Sequence, residues 1–291
     1  MTIDAQVPSP VRVDKSRGSG FQTAAWIAFT VLLFWMLVAL FAPLIAPYGQ
    51  GELLSDDSFA LAGDVGLLGG DYLGRDILTR VVYGAQMTLG LAAIITVIGF
   101  AVGIALGFLA AVSGGIVDTV LSRSIDAVMA FPSIMLALIV IASLGTSLEV
   151  LVLTIAAIEA TRVFRVSRAL AMDIGVMDFV EVARARGEGL WWIMRREIFP
   201  NATGPLAAEV GIRFTYAILF ISALSFLGLG VQPPNADWGS MVRENLQGLL
   251  FGSFAPLIPA AAIATVTFSI NLIVDWFLHK SNRDISDEIL Q

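Results

Sequence analysis

Predominantly apolar runs, each about the twenty residues that a bilayer requires of a helix, recur along the whole chain, and no other feature limits its fold so sharply. They cover 24–44, 87–112, 126–144 (interrupted by Pro132), 149–166, 206–229 and 254–278. A bilayer core offers the backbone no water, so each run is expected to close its own hydrogen bonds as a helix. The expected fold is therefore all-α, a polytopic membrane protein with six transmembrane helices. With 57% hydrophobic and 14% charged residues, the chain is too apolar for a soluble globule. The first run follows Arg12, Lys15 and Arg17, ends at Pro43 and Pro47, and reads as a retained anchor rather than a cleaved signal.

Charge is segregated rather than spread, so the net charge of −7 implies no acidic surface and no nucleic-acid partner. With the N-terminus inside, the inner segments hold Arg12, Lys15, Arg17, Arg123, Arg162, Arg165, Arg168, Arg184, Arg186, Arg195, Arg196, Lys280 and Arg283. The outer loops hold only Arg75, Arg80 and Arg243. The positive-inside rule then places both termini, and the charged passage over 177–201, in the cytoplasm. No cysteine is present, which removes disulfides and cysteine-ligated metals. The one histidine, His279, just past the last apolar run, reads as an interfacial residue rather than a ligand.

The passage over 177–201 stands apart. Asp178 and Glu181 have the spacing of a capping box that opens a helix running only to about Arg186. Gly187 and Gly189 offer the left-handed backbone that ends one. Two turns are too few to be stable alone in water, so this helix needs a surface to rest on; the alternative is a solvated loop helix. Leu190, Trp191, Ile193, Met194 and Ile198 then recur at helical spacing beside Arg195 and Arg196, as in an interfacial segment that Pro200 ends.

Elsewhere, Gly99, Gly103 and Gly107 form one face suited to close helix approach. Glu209 and Arg213 sit one turn apart in the fifth run, either lining a translocation path or neutralising one another structurally. Glu159 and Arg162 pose the same question. Asp118, Asp126 and Asp173, near run ends, read as snorkelling surface groups. Ser225, Phe226, Gly228 and Gly230 close the fifth run with small residues among large ones, as a gate or as tight packing. No phosphate-cradling loop, H-E-x-x-H helix or nucleophile elbow occurs, so the chain is not expected to bind ATP or to be an enzyme.

Three motifs share a source. The 177–201 passage resembles the cytoplasmic EAA loop of binding-protein-dependent ABC importers, with Glu181, Ala183, Gly187, Pro200 and Asn201 in place; Val182 replaces an alanine and Phe199 a leucine. L-G-G-D-Y-L-G-R-D-I-L-T-R-V-V-Y-G over 68–84 and L-S-F-L-G-L-G-V-Q-P-P over 224–234, with Asp237-Trp238-Gly239 behind, resemble the peptide/nickel branch, and A-F-P over 130–132 fits it. Ile221 stands where that branch often has an acidic residue, and Val274-Asp275 where it has Gly-Asp.

The resemblance implies a permease of the C type of the pair. Its parts would be a cytoplasmic tail over 1–22, a first helix and outer loop over 23–84, a permease domain over 85–279 with its coupling loop at 171–201, and a tail over 280–291. It would enclose half of a pathway for di- and oligopeptides, or for nickel or another small solute, in a bacterial inner membrane. Its partners would be a homologous permease, two ABC ATPase subunits holding ATP and Mg, an extracytoplasmic binding protein and membrane lipid, with no cofactor of its own. Asp178, Glu181, Ala183, Arg184, Gly187, Pro200 and Asn201 would couple to the ATPase, with Ala183 and Ala185 keeping the helix thin. Gly74, Arg75, Asp76, Arg80, Tyr83 and Gly84 would form an outer lip, Arg75 and Asp76 held in ion pairs, or simply a structured helix entry. Glu209, Arg213, Ser225, Phe226, Gly228 and Gly230 would serve pathway or gate. A self-sufficient secondary transporter, or a structural anchor, is the alternative class.

Overall fold

The computed structural model describes residues 16–289; the tail over 1–15, with Arg12 and Lys15, and the last two residues lie outside that range. α1 (Ser16–Leu40) starts inside the segment expected as tail and stops before the expected end of the first run. Pro43 then sits in the first turn of α2 (Ala42–Ile45), where a missing N–H costs nothing. α3 (Ile77–Ser113) begins well before the expected start because Asp76 caps it, Oδ2 accepting from the Thr79 amide at 2.7 Å. Its 37 residues reach about 55 Å at the helical rise, far more than a bilayer core needs.

Where a short turn and a third span interrupted by Pro132 were expected, two helices meet: α4 (Gly115–Met129) and α5 (Ser133–Leu144), bent by 87°. Pro132 is the cause, since it has no amide to continue the ladder and disfavours helix in the residue before it. α6 (Leu148–Gly175) starts at Ser147, whose Oγ accepts from the Val150 amide. α7 (Asp178–Ala185) and α8 (Leu190–Ile193) follow, then a π-helical turn (Met194–Ile198) that leads straight into α9 (Phe199–Phe226). Pro200 therefore does not end the interfacial segment. The wider turn absorbs the proline: the Phe199 amide reaches back to the Met194 carbonyl, and Asn201 Nδ2 donates to the Glu197 carbonyl at 2.6 Å.

The loop over 231–252 holds α10 (Trp238–Glu244) and a 3-10 turn (Leu246–Phe251). α11 (Leu257–Ile289) is the last crossing and carries on as helix into the expected tail. Among the described residues, four helices are long and apolar enough to cross a bilayer, or five with the bent pair as one. The fourth expected crossing, over 149–166, lies in α6, long enough at 28 residues but bearing Glu159, Arg162, Arg165 and Arg168.

α6 tolerates those charges because each has an oppositely charged partner: Glu159 pairs with Arg162, Arg165 with Asp126 and Arg168 with Asp118. The main contact of α6 is the glycine face of α3. A Cβ on Gly103 would lie 2.5 Å from Val163 Cβ, and one on Gly107 would lie 2.1 Å from Ser167 Oγ. With no side chain in the way, Ser167 Oγ reaches the carbonyls of both Val163 (2.8 Å) and Gly103 (3.1 Å). Gly90 lies off this seam, with open space at its Cβ position. Two apolar cores result. The larger joins α1, α3, α6, α9, α10 and α11; a smaller one, around Phe108, Ala171, Ile174, Val180, Ile193, Ile198, Ala202 and Leu206, sits under α7.

Candidate functional site

The smaller core decides how α7 is presented. Val180 and Ala183 are fully buried on its inner face, whereas Phe179, Val182 and Met177 are exposed. Burying a valine side chain is worth about 1.5–3 kcal/mol, enough to hold a two-turn helix that has no stability of its own. Ala183 is therefore small for the packing beneath the helix, not for slimness on its outer side; Ala185 faces out. The expected capping box is absent: Met177 is the N-cap and makes no side-chain cap bond. Asp178 and Glu181 instead lie exposed in the first turn, where carboxylates favour the helix dipole, and Arg184 lies exposed in the last. Gly187 has φ +83°, and its amide closes the turn on the Arg184 carbonyl at 2.9 Å. Gly189 is extended and opens α8. Arg186 stacks over the Trp192 ring at 5.5 Å, tying the end of α7 to the segment that becomes α9.

Within the bundle, Glu209 and Arg213 do pair, at 2.7 Å, and the pair belongs to a longer chain. Arg213 Nη1 lies 3.2 Å from Glu159 Oε2, Glu159 also binds Arg162, and Arg162 Nη2 donates to Ser133 Oγ at 3.0 Å. Both guanidiniums lie over the Tyr216 ring, at 5.1 and 5.6 Å. Glu159 is 1% and Glu209 9% exposed, so the two carboxylates are buried, and the network ties α5, α6 and α9 together. Asp118, expected as a snorkelling surface group, instead pairs with Arg168 at 2.5 Å and links α4 to α6, whereas Asp126 is a surface group, as expected, in an exposed 3.5 Å contact with Arg165.

The expected outer lip is a buried structural cluster. Arg75 and Arg80 are 6% and 1% exposed and share two carboxylates, Asp71 (2.7 and 3.3 Å) and Glu244 (3.3 and 3.1 Å). Asp76, expected in an ion pair, is instead the cap of α3. Gly74 has φ +77° and lets the turn close on Ser55, Tyr83 is half-buried, and Gly84 lies against Trp238. The Trp238 indole donates to the Val81 carbonyl at 3.0 Å. Asp71 has a sequence signal, its i,i+4 spacing to Arg75, and Trp238 lies in the Asp237-Trp238-Gly239 motif; Glu244 has none, since it arrives from far along the chain.

At the outer end of α9, Ser225 Oγ accepts from the Val231 amide at 3.2 Å, and a Cβ on Gly230 would strike Ser225. Gly228 has φ +89° and packs against Arg243, while Phe226 is exposed. Burial pushes the Asp237 carboxyl above the usual carboxylate range, against hydrogen bonds from Ser240, Ser225 and the Gly239 amide. The expected site residues thus form three separate groups, around α7, within the bundle, and around the N-terminus of α3 and α10.

Comparison with known proteins agrees with this architecture. Residues 103–287 match the family described as binding-protein-dependent transport system inner membrane component, and residues 22–60 match the N-terminal TM domain of oligopeptide transport permease C. A putative peptide transport system permease protein of Brucella suis is 36% identical over 91% of this chain and 88% of its own length. The di/tripeptide transport system permease protein DppC of Pseudomonas aeruginosa is 36% identical over 84% of each chain, and the Escherichia coli dipeptide transport system permease protein DppC 33% over 86% of each. The crystal structure of an amino acid ABC transporter with histidines shares the fold at a TM-score of 0.52, with 20% identity, covering 70% of this chain and 94% of that one.

Proposed function

We propose a mechanism that starts from one premise: the chain belongs to the family of binding-protein-dependent transport system inner membrane components. It is a permease subunit of an ABC importer, a membrane component rather than an enzyme. In our reading its cargo is di- and oligopeptides, which the names of its relatives support. It pairs with a homologous permease, receives cargo from an extracytoplasmic binding protein, and is driven by two ATPase subunits that hold the ATP and Mg. Both termini and α7 face the cytoplasm, on the distribution of Lys and Arg.

The observation that supports α7 as the coupling helix is its two-sidedness. One face is locked into the smaller core by Val180 and Ala183, and the other offers Phe179 and Val182 beside Asp178, Glu181 and Arg184. A push on the outer face is delivered through Ile193 and Ile198 to the base of α9, because Val180, Ile193, Ile198 and Ala202 share one core. From there α9 meets α6 through the Glu209, Arg213 and Glu159 chain, and carries the displacement to Ser225 and Gly230.

The test is made on the assembled complex. Replacing residues 178–189 by a Gly/Ser linker should abolish copurification of the ATPases. Gly187→Trp and Glu181→Arg should leave ATP hydrolysis running while peptide uptake falls at least tenfold. Retention of the ATPases by the linker variant, or full uptake in both point variants, would overturn the assignment. Cargo is tested separately, through the ligand held by the cognate binding protein; nickel or another small solute there would change the cargo and leave the coupling reading standing.

A further inference from the structure

Between the inner half of α3 and the segment leading into α9 lies a groove of about 500 Å³ that the coupling mechanism does not use. Ala101 and Ala105, one turn apart and both exposed, form its floor; Phe108 and Phe199 form its walls; Trp191 and Arg195 stand at its mouth. Its size is within the range of ligand-binding clefts. Trp191 is 70% exposed, an arrangement suited to the depth where acyl chains meet headgroups.

Arg195 and its neighbour Arg196 make no ion pair among the described residues, in contrast to Arg75, Arg80, Arg162, Arg165, Arg168 and Arg213. An apolar slot with an unneutralised guanidinium at its rim matches a molecule with a hydrocarbon chain and an anionic head. Basic pockets between membrane helices on the cytoplasmic side suit such headgroups. We propose that this groove is a binding site for an anionic phospholipid, one acyl chain lying over Ala101 and Ala105 and the phosphate at Arg195. Its assignment to the cytoplasmic leaflet rests on the orientation given above; the binding itself does not.

The test uses the assembled complex in lipid nanodiscs, where both faces are open. Fluorescence is quenched by lipids with brominated acyl chains, and the Trp191 component is isolated by difference against Trp191→Phe. Brominated phosphatidylglycerol should quench at about fivefold lower mole fraction than brominated phosphatidylcholine, the contribution of one basic residue near an anionic head. Arg195→Gln should erase that difference, and Ala105→Phe should remove quenching by either lipid. Equal quenching by the two lipids in the wild type would mean only bulk lipid contact, and absence of quenching by both would mean a groove closed by protein; either overturns the proposal. If Ala105→Phe does not assemble, the exposed Arg195→Gln change still decides it. A sidedness label that contradicts the orientation would leave the quenching result untouched.

Discussion

Arg213 is the residue on which two readings of the bundle interior part company. It touches both Glu209 and Glu159, which are otherwise shut away from water. Removing one partner of a buried ion pair leaves an uncompensated charge and costs about 3–5 kcal/mol. Arg213→Met should therefore lower the thermal midpoint of the purified complex well below that of an exposed control such as Arg196→Met. Adding Glu209→Gln to Arg213→Met should restore part of the loss, because it removes the charge left behind. An unchanged midpoint in Arg213→Met would mean that water reaches these carboxylates, as it would in an open pathway. The spacing of Glu209 and Arg213, and of Glu159 and Arg162, was enough to foresee each pair. Their joining was not legible, because residues 54 apart in sequence meet only once α6 and α9 pack.

At the scale of elements, the α3 and α6 seam shows how local sequence and tertiary packing divide the work. The four-residue glycine spacing announces a close approach but not its partner, which turns out to be α6, the helix that carries the run over 149–166. Gly103→Val would push a side chain into Val163 and the Ala160 carbonyl, and overpacking of this kind costs about 1–3 kcal/mol. Gly90→Val on the same helix meets nothing and should be close to neutral. Thermal midpoints of the two variants in the assembled complex should differ in that order; equal midpoints would remove the seam as a stabilising contact. Proline was the less reliable guide. Pro132 does break its helix, whereas Pro200 does not, since it falls in the first turn of α9 directly behind a π-helical turn, with the Asn201 side chain bonded back to the Glu197 carbonyl. The competing outcomes depend on backbone geometry that a residue type alone does not specify.

Over the whole molecule, three tiers stack along the bundle. A cap at one end is held by two guanidiniums and two carboxylates, a middle by a buried charge chain and the glycine seam, and the end that carries α7 by the smaller core. The helical class and most crossings were legible from apolar length, because the bilayer demands about twenty residues per crossing whatever surrounds them. The inner face of α7 was not. Val180 and Ala183 look no different in sequence from Val182 and Ala185, and only the docking against Ile193 and Ile198 separates anchor from contact. The central claim is that the outer face of this helix receives the movement of a nucleotide-driven partner. The most direct measurement places a photo-crosslinking amino acid at Val182, exposed at 56%, and illuminates the complex in native membranes. The account predicts one crosslinked product, containing the ATPase subunit, with a yield that changes when nucleotide is added. A product with the extracytoplasmic binding protein, or none with the ATPase in any nucleotide state, would contradict it.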